Sequence, residues 1–205
     1  MTNSQELISA VADADSDARL VAAVQQLAAA KDEAAIPTLI AVFGYNNPTA
    51  AVIAVAGLTQ LGEVAVPQLL EQIDDYNYGA RAYSIRALSA IADPRALDVL
   101  IDAAATDFAP SVRRAAAKGL GTLRWHQLEV QQLATAQTKA LQTLLFISQD
   151  SDWSIRYAAV VGLQGLAQIP ELQQQIQSKF EEMLATDAQN AVRARVQLAQ
   201  KLAFS

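Results

Sequence analysis

The chain has 205 residues, 52% of them apolar and 18% charged, with 15 Lys and Arg against 21 Asp and Glu for a net charge of −6. That length and apolar content supply a sizeable core and exclude a largely disordered chain. The acidic balance argues against a binder of nucleic-acid backbone, and the absence of cysteine removes disulfides, thiolate nucleophiles and cysteine-ligated zinc.

Alanine supplies 42 residues and leucine 24, the strongest helix formers, whereas Gly is only 8 and Pro only 6. An all-α protein follows from this balance. The first residues, MTNSQELISA, have neither the basic nor the apolar segment of a signal peptide. The longest apolar run, Ala50 to Leu58, is nine residues, far short of the roughly 20 that cross a bilayer. No membrane span and a cytoplasmic location are therefore expected. A lone histidine, His126, cannot build a multi-histidine metal site, and no metal is expected.

Two kinds of segment alternate along the chain. Segments of the first kind are AAIPTLIAVF at 34–43, VAVPQLLEQI at 64–73 and RALDVLIDAA at 95–104. Those of the second kind are TAAVIAVAGLTQLG at 49–62, GARAYSIRALSAIA at 79–92, SVRRAAAKGLGTL at 111–123 and SIRYAAVVGLQGLA at 154–167. Apolar residues in both recur every three to four positions, the period of an amphipathic helix. Pro37, Pro67 and Pro170 fall in first turns of first helices, while Pro48 and Pro110 precede second helices. About a dozen extra residues between 123 and 140 lengthen the first helix of the fifth pair. The last pair ends at Leu202–Phe204, and the first is degenerate, as a terminal cap is.

One register position fixes the repeat. It holds Leu20, Ala51, Arg81, Arg113, Arg156 and Arg193, at intervals of 31, 30, 32, 43 and 37 residues. Leu88, Leu120 and Leu163 follow seven residues after the arginines. A period of 30-odd residues with two helices per unit predicts an α-helical solenoid. The expected architecture is a right-handed α-α superhelix of about six helix pairs, one repeat domain over residues 1–205. Six residues before each arginine stands an aspartate: Asp75, Asp107, Asp150 and Asp187. Each can cap its second helix and face an arginine of its own or the next repeat, forming a ladder. Gly57, Gly119 and Gly162 share one position, which predicts close approach of a neighbouring helix, since glycine otherwise costs a helix about 1 kcal/mol.

Repetition makes the ladder a scaffold, because a catalytic residue rarely recurs once per repeat. The segment 74–86 is different. It carries Tyr76, Tyr78, Tyr83 and Arg86 where the next repeat has Phe108, Pro110, Ala115 and Lys118. A tyrosine cluster at a helix start is either a recognition surface or ordinary packing between repeats. Trp153 and Tyr157 flank Arg156, and rings beside arginine suit a flat conjugated anion. Trp125 and His126 open the insertion. Without a second histidine or a cysteine, His126 is an acid or base only beside a carboxylate or tyrosine. No phosphate loop, G-x-S-x-G or metal-ligand spacing occurs.

The VR…AA..GLG.L wording at 112–123 and the Asp/Arg spacing resemble HEAT repeats, whose arginine-bearing helices line a concave side. The run DDYNYGARAYSIRALSAIADPRALDVLIDAA at 74–104 is more specific: it resembles the E/F-type phycobilin lyases, and within them the smaller F-type subunit. The resemblance extends over RWHQLE and SDWSIRYAAVVGLQGL to essentially the whole chain. It implies a lyase subunit active only with a larger, homologous E-type partner. It implies phycocyanobilin as the transferred substrate, with no permanently bound cofactor. The bilin is joined through a thioether to a cysteine of the phycocyanin α-subunit, the acceptor. On this reading Tyr76, Tyr78, Arg81, Tyr83, Arg86, Trp153 and Arg156 contact bilin or partner. Asp75 and His126 are candidate catalytic groups, with Asp74 an alternative carboxylate. The competing reading is a scaffold or chaperone of the same fold that binds phycobiliproteins without bilin chemistry.

Overall fold

The computed structural model describes residues 4–73 and 77–204. Twelve α-helices and short 3-10 turns make up these residues, with no strand among them. They pair in sequence as expected: α1 (Ser4–Ala12) with α2 (Asp17–Ala30), α3 (Ile36–Ala41) with α4 (Pro48–Leu61), and α5 (Val66–Glu71) with α6 (Tyr78–Ile91). Then come α7 (Leu97–Thr106) with α8 (Pro110–Leu120), α9 (Val130–Ile147) with α10 (Trp153–Leu166), and α11 (Gln173–Thr186) with α12 (Asn190–Ala203). The first three pairs belong to one compact unit, 1–91, and the last three to another, 92–205.

The starts of the helices follow from local chemistry. Ser16, Asn47, Asn77 and Asp152 accept the N–H groups of Arg19, Ala50, Ala80 and Ser154, satisfying otherwise orphaned donors. Pro48 and Pro110 are the first residues of α4 and α8 rather than preceding them, where a missing N–H costs nothing. The extra residues after 123 form a 3-10 turn at Trp125–Gln127 and an 18-residue α9, longer than the 10-residue α7. The stretch 48–71 is long and apolar enough to cross a membrane by length and composition. It nevertheless folds as two helices, reversing at Gly62 with φ 75°, and buries Ala51, Ala54, Leu58 and Leu69.

In the unit 1–91, α2 packs on α4 and α4 on α6. A Cβ on Gly57 would lie 2.7 Å from Ala28 Cβ, so the shared glycine marks a close helix approach there. Leu27, Leu58 and Leu88 are fully buried at equivalent positions. In the unit 92–205, α10 packs between α8 and α12. A Cβ on Gly162 would lie 2.4 Å from the Ala117 carbonyl oxygen and 2.7 Å from Leu144 Cδ2. Gly121 and Gly165 bring the same two backbones together one turn on, where a Gly165 Cβ would meet the Gly121 carbonyl at 2.1 Å. Leu120, Leu163 and Leu166 fill the layer behind.

The ladder forms within 92–205, and it runs from each arginine to the aspartate of the following repeat. Arg113 Nη2 donates to Asp150 Oδ2 at 2.7 Å. Arg156 grips Asp187 with two bonds, Nε to Oδ2 at 2.7 Å and Nη2 to Oδ1 at 2.9 Å. The remaining donors tie down loops of the same repeat, Arg113 Nε to the Ala104 carbonyl and Arg156 Nη1 to the Asp150 and Ser151 carbonyls. Arg193 closes the series on the Asp187 carbonyl and Asn190. The three described aspartates are not the N-caps of their second helices. Asp107, Asp150 and Asp187 instead accept the N–H two residues on, from Ala109, Asp152 and Gln189, shaping the loop. Asp75 lies outside the described residues.

Two tests follow. Gly162→Ala should lower stability by about 1–3 kcal/mol through overpacking against the Ala117 carbonyl. An unobstructed helix would instead gain about 1 kcal/mol from that change, so the sign of the shift in the thermal midpoint decides. The second concerns acid. Hydrogen bonds from Arg156 hold the Asp187 carboxyl below its usual range, against the opposing effect of burial. A carboxyl depressed on folding adds stability that is present above its unfolded pKa of about 4 and is lost as pH falls through the folded value. Asp187→Asn should therefore be less stable than wild type at neutral pH. The gap should close in thermal melts run stepwise down to about pH 2.5; a gap independent of pH would rule the linkage out.

Candidate functional site

The tyrosine-rich segment divides where α6 begins. Tyr76, with Asp74 and Asp75, lies outside the described residues. Asn77 caps the helix, and Tyr78, its first residue, is 41% exposed. Tyr83 is half-buried, and its ring stacks on the buried Phe43, with centroids 5.6 Å apart and planes at 30°. Arg86 is exposed one turn on, its Cζ 5.8 Å from the Tyr83 ring. Thus Phe43, Tyr83 and Arg86 form one stack, whose inner end belongs to the core and whose outer end is a cation on an aromatic face. Arg81, on the same helix, is half-buried.

The other candidates lie in 92–205. Trp153 begins α10 and is 47% exposed. Arg156 is one turn later, but its guanidinium is turned into the ladder. Its side chain is 15% exposed and the Asp187 side chain 4%, and hydrogen bonding to that carboxylate raises the guanidinium pKa further. Asp150, Arg156 and Asp187 border a cavity of about 250 Å³ with Lys179 and Glu182. His126 is exposed in the turn 125–127. Trp153 and Arg156 therefore share a helix without forming a ring-and-cation pair.

Another pairing takes that role. Arg195 of α12 lies over Tyr157, its Cζ 6.0 Å from the ring, and its Nη2 donates to Gln164 Oε1 at 2.5 Å. From the other side Arg114 of α8 donates to Ser154 Oγ at 3.0 Å. The repeat register does not single out Arg114 or Arg195, because they stand one and two residues past the ladder position. The signal available in sequence was composition: α8, α10 and α12 contain no Asp or Glu. Grooves of some size lie elsewhere, between α7 and α9. One of about 630 Å³ is lined by Asp98, Ile101, Thr135 and Gln142, with an exposed Lys139–Asp98 pair at 3.2 Å. Among the described residues no group of three or more His, Cys, Asp or Glu is placed to hold a metal.

The family models that match are HEAT repeats, over residues 46–121, and the PBS lyase HEAT-like repeat, over 20–44. The chain is 76% identical over 200 residues to a phycocyanobilin lyase subunit beta of Nostoc sp., covering 98% of this chain and 99% of the relative. It is 53% identical over 163 residues to the phycocyanin alpha phycocyanobilin lyase CpcF of Synechocystis sp., covering 80% and 76%. A phycobilisome maturation protein of Synechococcus elongatus is 48% identical over 97% of each chain. Among solved structures, the complex of CpcE and CpcF of phycocyanin lyase from Nostoc sp. contains a chain that superposes with a TM-score of 0.81 at 78% identity, covering 82% of this chain and 99% of that one. A designed armadillo repeat protein superposes with a TM-score of 0.62 at 16% identity, a likeness of fold alone. With helix pairs, repeat register and near full-length identity in agreement, the chain belongs to the family of phycocyanobilin lyase beta subunits.

Proposed function

We propose that this protein is the beta subunit of a heterodimeric phycocyanobilin lyase, which attaches the bilin to a cysteine of the phycocyanin α-subunit. The observation that carries the reading is the 76% identity to a phycocyanobilin lyase subunit beta across almost the whole of both chains. The partner is a larger, homologous E-type subunit, in keeping with the solved complex that pairs CpcE with CpcF. Phycocyanobilin is a transferred substrate, and no cofactor is held permanently. The six helix pairs act as one repeat domain, and the site of action is the cytoplasm.

The absence of cysteine suits this chemistry, since the thiol comes from the acceptor. In the addition, the acceptor sulfur forms one C–S bond to the ethylidene carbon of the bilin. The C=C π bond breaks, the sulfur loses its proton, and the bilin gains one, so nothing else enters or leaves. The enzyme's share is to fix geometry and to supply that proton. Tyr76, Tyr78, Arg81, Tyr83 and Arg86 are the proposed bilin or partner contacts on the first unit, with Trp153 on the second, beside an Arg156 whose guanidinium is already committed to Asp187. Support comes from the exposure of Tyr78 and Trp153 and from the outward-facing Arg86 on Tyr83. Asp75 and His126 are the proposed acid or base groups, the imidazole of His126 being exposed at the surface.

Co-expression with the larger subunit, apo-α-phycocyanin and a bilin source tests the reading. A zinc-fluorescent covalent band on the denatured acceptor should require both subunits. A stable heterodimer that yields no band would instead favour a scaffold without bilin chemistry. In the same assay Tyr78→Ala should cut the initial rate of adduct formation at least tenfold, a loss of about 1.4 kcal/mol, with the helix content unchanged. An undiminished rate from that variant would remove Tyr78 from the site. Tyr83 is better changed to Phe, which keeps its stack on Phe43.

A further inference from the structure

Helices α8, α10 and α12 carry seven Lys and Arg and no Asp or Glu, in a chain whose net charge is −6. The ladder accounts for Arg113, Arg156 and Arg193. It does not account for Arg114, Lys118 and Arg195. Among the described residues, no carboxylate lies within ion-pair distance of these three. The Asp152 carboxyl is lowered by hydrogen bonds from Ser154 and, from a greater distance, by Arg114. Arg114 and Lys118 stand four residues apart on α8, so two like charges share one face, an arrangement that costs stability unless an anion covers it.

The geometry concentrates these cations on α10. It lies between α8 and α12, and each neighbour sends a guanidinium to it. Arg114 reaches Ser154, and Arg195 reaches Gln164 with its Cζ over Tyr157. Ser154 and Gln164 are about 15 Å apart along the helix at 1.5 Å per residue, with Tyr157 between them. Both arginines are held by neutral acceptors, a hydroxyl and an amide, which a carboxylate outcompetes because the charged bond is roughly twice as strong. Arg195 Nη1 is buried with no acceptor among the described residues, a donor left unsatisfied in the absence of a ligand. Arg114, Tyr157 and Arg195 are all half-buried, so each keeps part of its side chain open to a ligand along the length of α10.

We infer that Arg114, Lys118, Tyr157 and Arg195 form a binding strip for an elongated conjugated dianion. The cations hold its two carboxylates and the Tyr157 ring lies against its π-system. Arg113 and Arg156 are unsuited to this task, since each already holds a carboxylate, Arg156 with two bonds. The inference rests on the lyase reading, in which the dianion is phycocyanobilin, held through its two propionates.

The test compares phycocyanobilin with its dimethyl ester, which keeps the chromophore and loses both charges. Each is titrated by absorbance into the heterodimer with the larger subunit. Wild type should bind the free acid at least tenfold more tightly than the ester. Arg114→Gln/Arg195→Gln should lose that preference by weakening the acid alone, and Lys118→Gln should lose part of it. If the Gln pair does not fold, Arg114→Lys/Arg195→Lys serves, with the preference for the acid retained. A wild type that binds acid and ester alike overturns the strip, as does a Gln pair with undiminished preference. So does a Gln pair that loses only its partner subunit while still preferring the acid, since the face would then be a protein interface. Adduct formation by wild type in the same preparation reports on the lyase reading separately, so either can fail without the other.

Discussion

The structure depends on how closely successive second helices approach. Gly57 meets Ala28, and Gly121, Gly162 and Gly165 bring α8 and α10 to backbone contact. Alanine and glycine leave no side chain to keep these helices apart, so leucines such as Leu58, Leu120 and Leu163 carry the apolar burial from a deeper layer. The composition is therefore a consequence of the architecture: small residues make the seams and leucine the core behind them.

Close seams let polar side chains of one repeat reach the next. Arg113 finds Asp150 and Arg156 finds Asp187 across that short distance. These pairs are largely removed from water, with the Arg156 and Asp187 side chains 15% and 4% exposed, so each would be costly to break one-sidedly. Their geometry also explains their persistence. Each arginine spends its other donors on loop carbonyls, so one side chain fixes a turn of its own repeat and the register of the next. The ladder thereby separates two classes of cation on one set of helices. Arg113 and Arg156 are structural because their carboxylates are supplied, and Arg193 ends the series on the Asp187 carbonyl and Asn190. Arg114, Lys118 and Arg195, a residue or a turn away, have neutral partners or none among the described residues, and are left to recognise something else.

Much of the fold was legible in the chain. The helix pairs, the buried leucine positions and the long α9 followed from a period of 30-odd residues, as did the presence of an arginine–aspartate ladder, though not which repeat each arginine would reach. Periodicity works here because each repeat contacts mainly its neighbours, so local pattern and packing coincide. The site was less legible. Tyr83 stood out as part of an unusual run, but its ring is committed to Phe43, a contact between segments 40 residues apart. Arg156 stood out beside Trp153 and Tyr157, but a carboxylate 31 residues on claims it. Arg195 did not stand out, although it is the cation that lies on Tyr157.

The sequence by itself determined the all-helical class, the six pairs, the register of the ladder and, through the Tyr-Asn-Tyr-Gly-Ala-Arg-Ala-Tyr run, the family. Those properties depend on spacing along one chain or on near identity, and both are visible in one dimension. Only the tertiary structure decided which arginine meets a carboxylate, which aromatic ring is packed and which is exposed, and that Arg114 and Arg195 converge on α10. A guanidinium is the same in sequence whether its partner is Asp187, Gln164 or solvent. What it does depends on which acceptor lies within about 3 Å, and that is set by the neighbouring repeat.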